Sequence, residues 1–366
     1  MEKRNINIDL FRIIAAFLVT VLHVLGQGGV LKSTSPAEIN YWIAWFLEIC
    51  AYCAVNCFAL ISGYVMVNKT IKAKNIIGLW FQVLFYSLLF TALFFAFLPE
   101  SRSIKNLVVA VMPILGKQWW YVSSYFALCL FIPFLNKAID NISQQTYKKI
   151  LLLILFLICC VDCAIPIDAF WLGSGYSAIW LMIVYLFGAY IRKYDICEKI
   201  TSFKCAVGYF SMIILTFVSK ITIWFLTKSI FGQAKFDDTF ISYISITILL
   251  SAIFLLMLCL KIKIDTAVAK FICFVSPVAL GVYLIHVHPL VFDYLIKDAF
   301  VSFAAKSPIA MILCVIVASL VIFILCTIIE LLRIQIFKLI NVSKLSEVIA
   351  RKINDFYLRV FEMKLK

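Results

Sequence analysis

The side chains able to move a proton near neutral pH are few in this chain, and they sit where lipid-like sequence surrounds them. Among 366 residues there are three histidines, His23, His286 and His288, each within or at the end of an apolar stretch. Imidazole is the side chain best suited to general acid–base work near pH 7. Asp9, Arg12, Glu48, Asp162 and Lys220 interrupt apolar runs in the same way. A charge at the centre of a membrane helix costs about 2.5–3.5 kcal/mol on insertion scales, so each of these groups needs a partner, a water-filled cavity or a task.

The first apolar stretch, NINIDLFRIIAAFLVTVLHVLG, carries Asp9, Arg12 and His23 together. Eleven helical steps of 100° from Arg12 to His23 end about 20° from a whole number of turns and rise about 16 Å, so one face carries both. Arg12 lies near one end, where it can pair with Asp9 three residues back and reach water. His23 lies deeper and has no such escape. It is either a structural imidazole satisfied by another helix or a base facing a cavity.

These groups must be positioned by membrane helices. The chain is 64% hydrophobic and 14% charged, with 33 phenylalanines, more apolar surface than one water-soluble core can hide. A spanning helix needs about 20 apolar residues, and apolar runs fall near 8–27, 41–67, 76–98, 119–136, 150–166, 177–191, 205–227, 240–260, 271–292 and 309–332. They predict an all-α polytopic bundle of about ten transmembrane helices. The first run resembles a secretory signal, but it contains Arg12 and His23 and lacks a small-residue cleavage site, so it reads as a retained helix.

Charge gives the orientation. With the N-terminus inside and segments alternating, the inner segments and tail hold 23 Lys and Arg against eight outside, and the outer loop 167–176 has none. By the positive-inside rule both ends are cytoplasmic. The net charge of +14 then reflects topology and gives no reason to expect nucleic acid. Residues 1–340 form one predicted domain. Residues 341–366 form a basic tail with apolar residues at helical spacing, suited to the anionic inner surface of the membrane. The segment LVVAVMPIL within 99–118 is too short to span and is expected to dip into the bilayer or lie along it. Thirteen cysteines include the groups Cys50, Cys53, Cys57 and Cys159, Cys160, Cys163. With no histidine near them in sequence they read as small apolar side chains, and no metal site is assigned.

DLFRIIAAFLVTVLH is similar to the first helix of the membrane-bound acyltransferase 3 family, whose signature is Arg or Lys, ten residues, then His. Here its ends are Arg12 and His23. The resemblance continues in order through FALISGYVM, QWWYVSSYFALCLFIPFLN and YLIHVHPL. It implies a ten-helix enzyme that takes an acyl group, usually acetyl, from cytoplasmic acetyl-CoA and places it on a hydroxyl of a cell-surface glycan or its lipid-linked precursor, in a bacterial cytoplasmic membrane. No cofactor is expected to stay bound; the acyl-CoA is a substrate.

On that reading His23 is the base or an acyl carrier, and Arg12 holds an anionic part of CoA or the developing oxyanion. The family often places arginines after its second helix. This chain offers Lys69, Lys72 and Lys74 there, point charges without the bidentate fork, which weakens their assignment as the CoA site against a purely topological role. Asp9, Glu48, Trp119, Trp120 and His286 are the supporting candidates, although an interfacial aromatic belt would also account for the two tryptophans. A carrier or flippase is the alternative, favoured by discontinuous helices or inverted repeats. A scaffold is the third reading, disfavoured by so many buried charges.

Overall fold

In the computed structural model, residues 4–165 and 168–362 are described, and their side-chain surroundings through Phe356. Lys3, Lys364 and Lys366, counted above with the inner charge, lie outside the described residues, as does the end of the predicted tail. Among the described residues the chain is helical without strands. Eight helices are long and apolar enough to cross a membrane: Ile6–Leu25, Ile39–Met66, Ala73–Phe97, Trp120–Asp140, Gln144–Asp162, Ser202–Phe231, Thr266–His286 and Pro308–Leu339. The protein is a polytopic helical membrane protein.

Helix α1 (Ile6–Leu25) starts where the Asn5 side chain accepts from the backbone N–H groups of Asn7 and Ile8, and it stops at Gly26. It is the central post of the bundle. The span after it is interrupted at Cys53, giving α2 (Ile39–Tyr52) and α3 (Ala54–Met66). Next come α4 (Ala73–Phe97), the short surface helix α5 (Ile104–Val111) and α6 (Trp120–Asp140). Ile104, Leu107, Val108 and Val111 of α5 are exposed, as expected of an apolar piece lying along the bilayer.

The chain continues through α7 (Gln144–Ile154), which runs on as a π-helical stretch over Leu155–Asp162. Then follow α8 (Ala178–Lys193), α9 (Ser202–Phe231) and α10 (Ile246–Leu260). The ninth predicted run is broken into α11 (Thr266–Val275) and α12 (Ala279–His286) by a tight turn at Ser276–Val278, with Pro277 inside it. Proline removes a backbone donor and ends a helix in this way. A single turn, α13 (Pro289–Val291), leads towards α14 (Pro308–Leu339) and the tail helix α15 (Val342–Glu362).

Helices α1, α3, α8 and α10 form the centre, wrapped by the others. The closest approach is between α3 and α8. A Cβ at Gly63 would fall 2.0 Å from the Tyr185 carbonyl oxygen, and one at Gly188 would fall 2.2 Å from that of Leu60. In lipid, helix association depends on such close backbone packing. Asn56 fixes the same region: its amide accepts from Trp180 Nε1 and donates to the Tyr243 carbonyl, each at 2.9 Å.

Candidate active site

A chamber of about 620 Å³ opens beside α1. Arg12 and His23 both line it, with Phe58, Ser62, Leu79 and Ala279 among the walls. The shared face predicted from helical periodicity is therefore turned inward. Its portion beyond His23 is bounded by Glu48, Tyr52, Trp120, Tyr176 and Tyr243.

His23 Nδ1 lies 2.8 Å from His286 Nε2, and His286 Nδ1 lies 2.5 Å from the carbonyl oxygen of Val282. A carbonyl only accepts, so His286 Nδ1 carries the proton and its Nε2 presents a lone pair. That lone pair accepts from His23 Nδ1–H. With both rings neutral, His23 Nε2 keeps a free lone pair in the chamber. This proton placement follows from the hydrogen-bond network. His286 is almost wholly buried at the end of α12, so the tautomer of the chamber-lining ring is set by one that solvent does not reach.

Arg12 is held by a second network at the other end of α1. Its Nη1 donates to Asp9 Oδ1 at 2.8 Å and to Ser276 Oγ at 3.0 Å, while Ser276 Oγ donates to Asp9 Oδ1 at 2.7 Å. Arg4 Nε also donates to Asp9. That bond raises the pKa of Arg4 and outweighs the lowering by burial. The turn that breaks the ninth span exists in part to offer Ser276 here. Arg12 also borders a smaller cavity of about 310 Å³ with Arg4, Lys69 and Arg192, so it stands at the neck between the two.

The portion beyond His23 is aromatic. Trp120 and Tyr176 have ring centroids 4.6 Å apart, Tyr176 and Tyr243 5.0 Å, and Tyr52 and Tyr243 4.9 Å. Beside them Glu48 is buried and its Oε2 has no hydrogen-bond partner among the described residues. A Cβ on Gly26, one turn beyond His23, would be 3.9 Å from Glu48 Oε1, which places this carboxylate close to the C-terminal end of α1. The hydroxyls of Tyr121 and Tyr283, both lining the chamber, are likewise buried without a partner. Carboxylate and hydroxyls together can bind a polar molecule that supplies both donors and acceptors.

Other predicted residues are placed differently. Trp119 is buried against His288, with centroids 5.6 Å apart, and does not line the chamber; only Trp120 of the pair does. Lys69, Lys72 and Lys74 do not converge. Lys69 borders the small cavity by Arg12, Lys74 borders a separate crevice, and Lys72 is exposed at the start of α4.

Lys220 is buried on α9 and satisfied by Asp237 at 2.5 Å and the Trp45 ring at 3.7 Å, a structural pairing away from the chamber. Asp162 accepts from the Ala169 backbone N–H at 2.9 Å. His288 Nδ1 accepts from Leu290 N–H at 3.3 Å and its Nε2 meets the Gln118 amide at 2.9 Å, so it ties the loop before α6 to α13. Sequence reasoning passed over Glu330, a fully buried carboxylate on α14 bound by Gln82, Tyr86 and Arg333. Its signal was available: a lone acid within the last apolar run, three residues before an arginine.

An all-helical membrane unit with a largely apolar chamber into which a histidine and an arginine are set defines the class. A family model described as an acyltransferase domain, acyltransferase 3, matches residues 5–328. The chain belongs to the acyltransferase 3 family and is a membrane-embedded acyltransferase. No curated protein and no solved structure gave a match.

Proposed function

We propose that the chain transfers an acyl group, acetyl as the family resemblance suggests, from cytoplasmic acyl-CoA to a hydroxyl of a cell-surface glycan or its lipid-linked precursor, in a bacterial cytoplasmic membrane. The observation that carries this reading is the free lone pair on His23 Nε2, fixed by the relay through His286 to the Val282 carbonyl. An alcohol is a poor nucleophile at neutral pH, and a positioned imidazole contributes about 10²–10⁴-fold to such a transfer.

In the proposed step the acceptor hydroxyl gives its proton to His23 Nε2 as its oxygen bonds to the thioester carbon. The carbonyl oxygen becomes an oxyanion, for which the unpartnered hydroxyls of Tyr121 and Tyr283 are suitable donors. Collapse breaks the C–S bond, and the proton on His23 passes to the departing CoA sulfur. Arg12 lies about 16 Å along α1 from His23, too far to touch that oxyanion. It therefore serves an anionic part of the donor, through the guanidinium nitrogens that Asp9 and Ser276 leave free. The ring cluster of Trp120, Tyr176 and Tyr243 suits the apolar face of a sugar, and Glu48 suits its hydroxyls.

The interruptions at Cys53 and Ser276–Val278 are the feature that would favour a carrier. Both have local uses: one lies beside Glu48 and Asn56, and the other frees Ser276 for Asp9 and Arg12. The deciding experiment incubates acetyl-labelled CoA with acceptor-containing membranes bearing the wild type or His23→Ala. Label in glycan only with the wild type is expected. No label from either would turn the reading to the carrier. Label trapped on His23 without acceptor would replace direct transfer by a two-step route.

A further inference from the structure

A second concave site lies apart from the histidines, in a crevice of about 650 Å³ between α4, α14 and α15. Its charged lining is Lys74, Arg333 and Lys338, and no carboxylate borders it. Arg333 is anchored from behind by Glu330, at 2.5 Å and 3.1 Å, and lies 4.4 Å from the Phe337 ring centre. Lys74 and Lys338 have no ion pair or hydrogen bond among the described residues. Asn75, Asn341 and Ser343 add amide and hydroxyl groups at the rim. The 25-residue helix α4 begins here without a side-chain cap, so its first N–H groups add partial positive charge.

Positive-inside topology explains why lysines stand on this side of the bundle. It does not explain why three cations from two helices converge on one hollow whose lining holds no carboxylate, two of them, Lys74 and Lys338, without any acid to neutralise them. Like charges so gathered repel, and the complement that relieves them is a multiply charged anion with oxygen acceptors. The crevice also abuts the chamber: Gly78 and Pro277 line the crevice, while their near neighbours Leu79 and Ala279 line the chamber.

We propose that this crevice is a binding site for an organic phosphate, supplied by the phosphorylated nucleotide end of the acyl-CoA or by the headgroup of an anionic phospholipid. The first source rests on the acyl-CoA reading above and would let the acyl arm pass between α4 and α12 towards His23. The second is independent of that reading. The exposed apolar residues of α15, Leu345, Ile353 and Phe356, would keep lipid at the crevice mouth.

The test uses the purified full-length protein and the double variant Lys74→Ala/Lys338→Ala, with Lys74→Arg/Lys338→Arg as the charge-conserving control. Binding of CoA is measured by titration calorimetry in detergent. Immobilisation of spin-labelled phosphatidylglycerol is measured against spin-labelled phosphatidylcholine in reconstituted bilayers. Loss of about tenfold or more in CoA affinity in the alanine variant, recovered with arginines, assigns the nucleotide source. Unchanged CoA binding with phosphatidylglycerol reduced to the phosphatidylcholine level assigns the lipid source. If a folded alanine variant matches the wild type in both, the site is refuted. A wild type that neither binds CoA nor transfers label sinks the acyl-CoA reading instead, and the lipid arm then decides the crevice alone.

Discussion

At the scale of the residue, the chemistry proposed for His23 depends on a neighbour that need not touch substrate. His286 fixes which nitrogen of His23 holds the proton, because its own Nδ1 is committed to the Val282 carbonyl. His286→Ala should lower kcat about 10–100-fold, the usual effect of losing such an orienting partner, with a smaller change in KM for the donor. His23→Ala should cost about 10²–10⁴-fold. Because the rings act as one unit, the double variant should be no slower than His23→Ala alone; rates that multiply would mean that the two act independently. Arg12 offers a separate test. A lysine can replace the single nitrogen that binds Asp9 and Ser276 but not the rest of the guanidinium fork, so Arg12→Lys should raise the donor KM about tenfold, and a wild-type value would reduce Arg12 to a membrane anchor. Arg12 and His23 could be read from sequence because eleven residues of one helix have fixed geometry. The pairing of His23 with His286 could not, since it joins helices 263 residues apart. Nor could the free hydroxyl of Tyr283, which depends on what the folded chamber fails to offer it.

At the scale of the element, the strain tolerated by the bundle is set where backbones touch. Gly188 on α8 faces the Leu60 carbonyl of α3, and the obstructing atom is backbone that cannot swing aside. Gly188→Ala should therefore destabilise the protein by about 1–3 kcal/mol, seen as a lower unfolding temperature in detergent. Glu330 is the other test. It holds Arg333, Tyr86 and Gln82 and lies against Gly281 of α12, the helix that carries His286. Glu330→Ala leaves a largely buried arginine unpaired and should cost about 3–5 kcal/mol, part of it restored by adding Arg333→Ala; no restoration would show that the carboxylate acts through Tyr86 and Gln82. The apolar runs gave the helices, because lipid demands internally bonded backbone along each span, but not all their ends: α7 begins at Gln144 where the run began near 150, and α14 ends at Leu339 where it ended near 332. The interruptions at Cys53 and Ser276 were less legible. Neither Cys53 nor Ser276 is a helix breaker, and only Pro277 marks the second. The split of Lys69 from Lys74 was hidden for a related reason: the six residues 69–74, which look like one basic loop, pass from beyond the end of α3 into the start of α4, and the two lysines face different hollows.

For the whole molecule, the question is how many of these helices cross the membrane, because parity decides on which side the two ends lie. The eight long spans leave α8 and α10, with 16 and 15 residues, only about 24 and 22 Å long against a hydrocarbon core of about 30 Å. Both are interior helices whose ends meet protein, which relaxes the length requirement. Their contacts give each a direction. Near the start of α10, Tyr243 joins the aromatic cluster and Ser242 bonds to Ser174, just before α8. At its far end, the Cys259 carbonyl accepts from Asn7 at the start of α1, at 2.7 Å. Near the end of α8, Lys193 pairs with Asp140 at 2.6 Å, and Arg192 borders the cavity at Arg4. Each short helix therefore runs from the aromatic end of the chamber to the Arg12 end, which predicts ten crossings with both ends of the chain on the basic side. Reporter fusions that bracket each helix test this: alkaline phosphatase should be active after residue 173 and after residue 234 and silent after 200 and after 262, with a fluorescent protein giving the reverse pattern. If one pair fell on a single side, that helix would be re-entrant and the ends of the chain would lie on opposite sides.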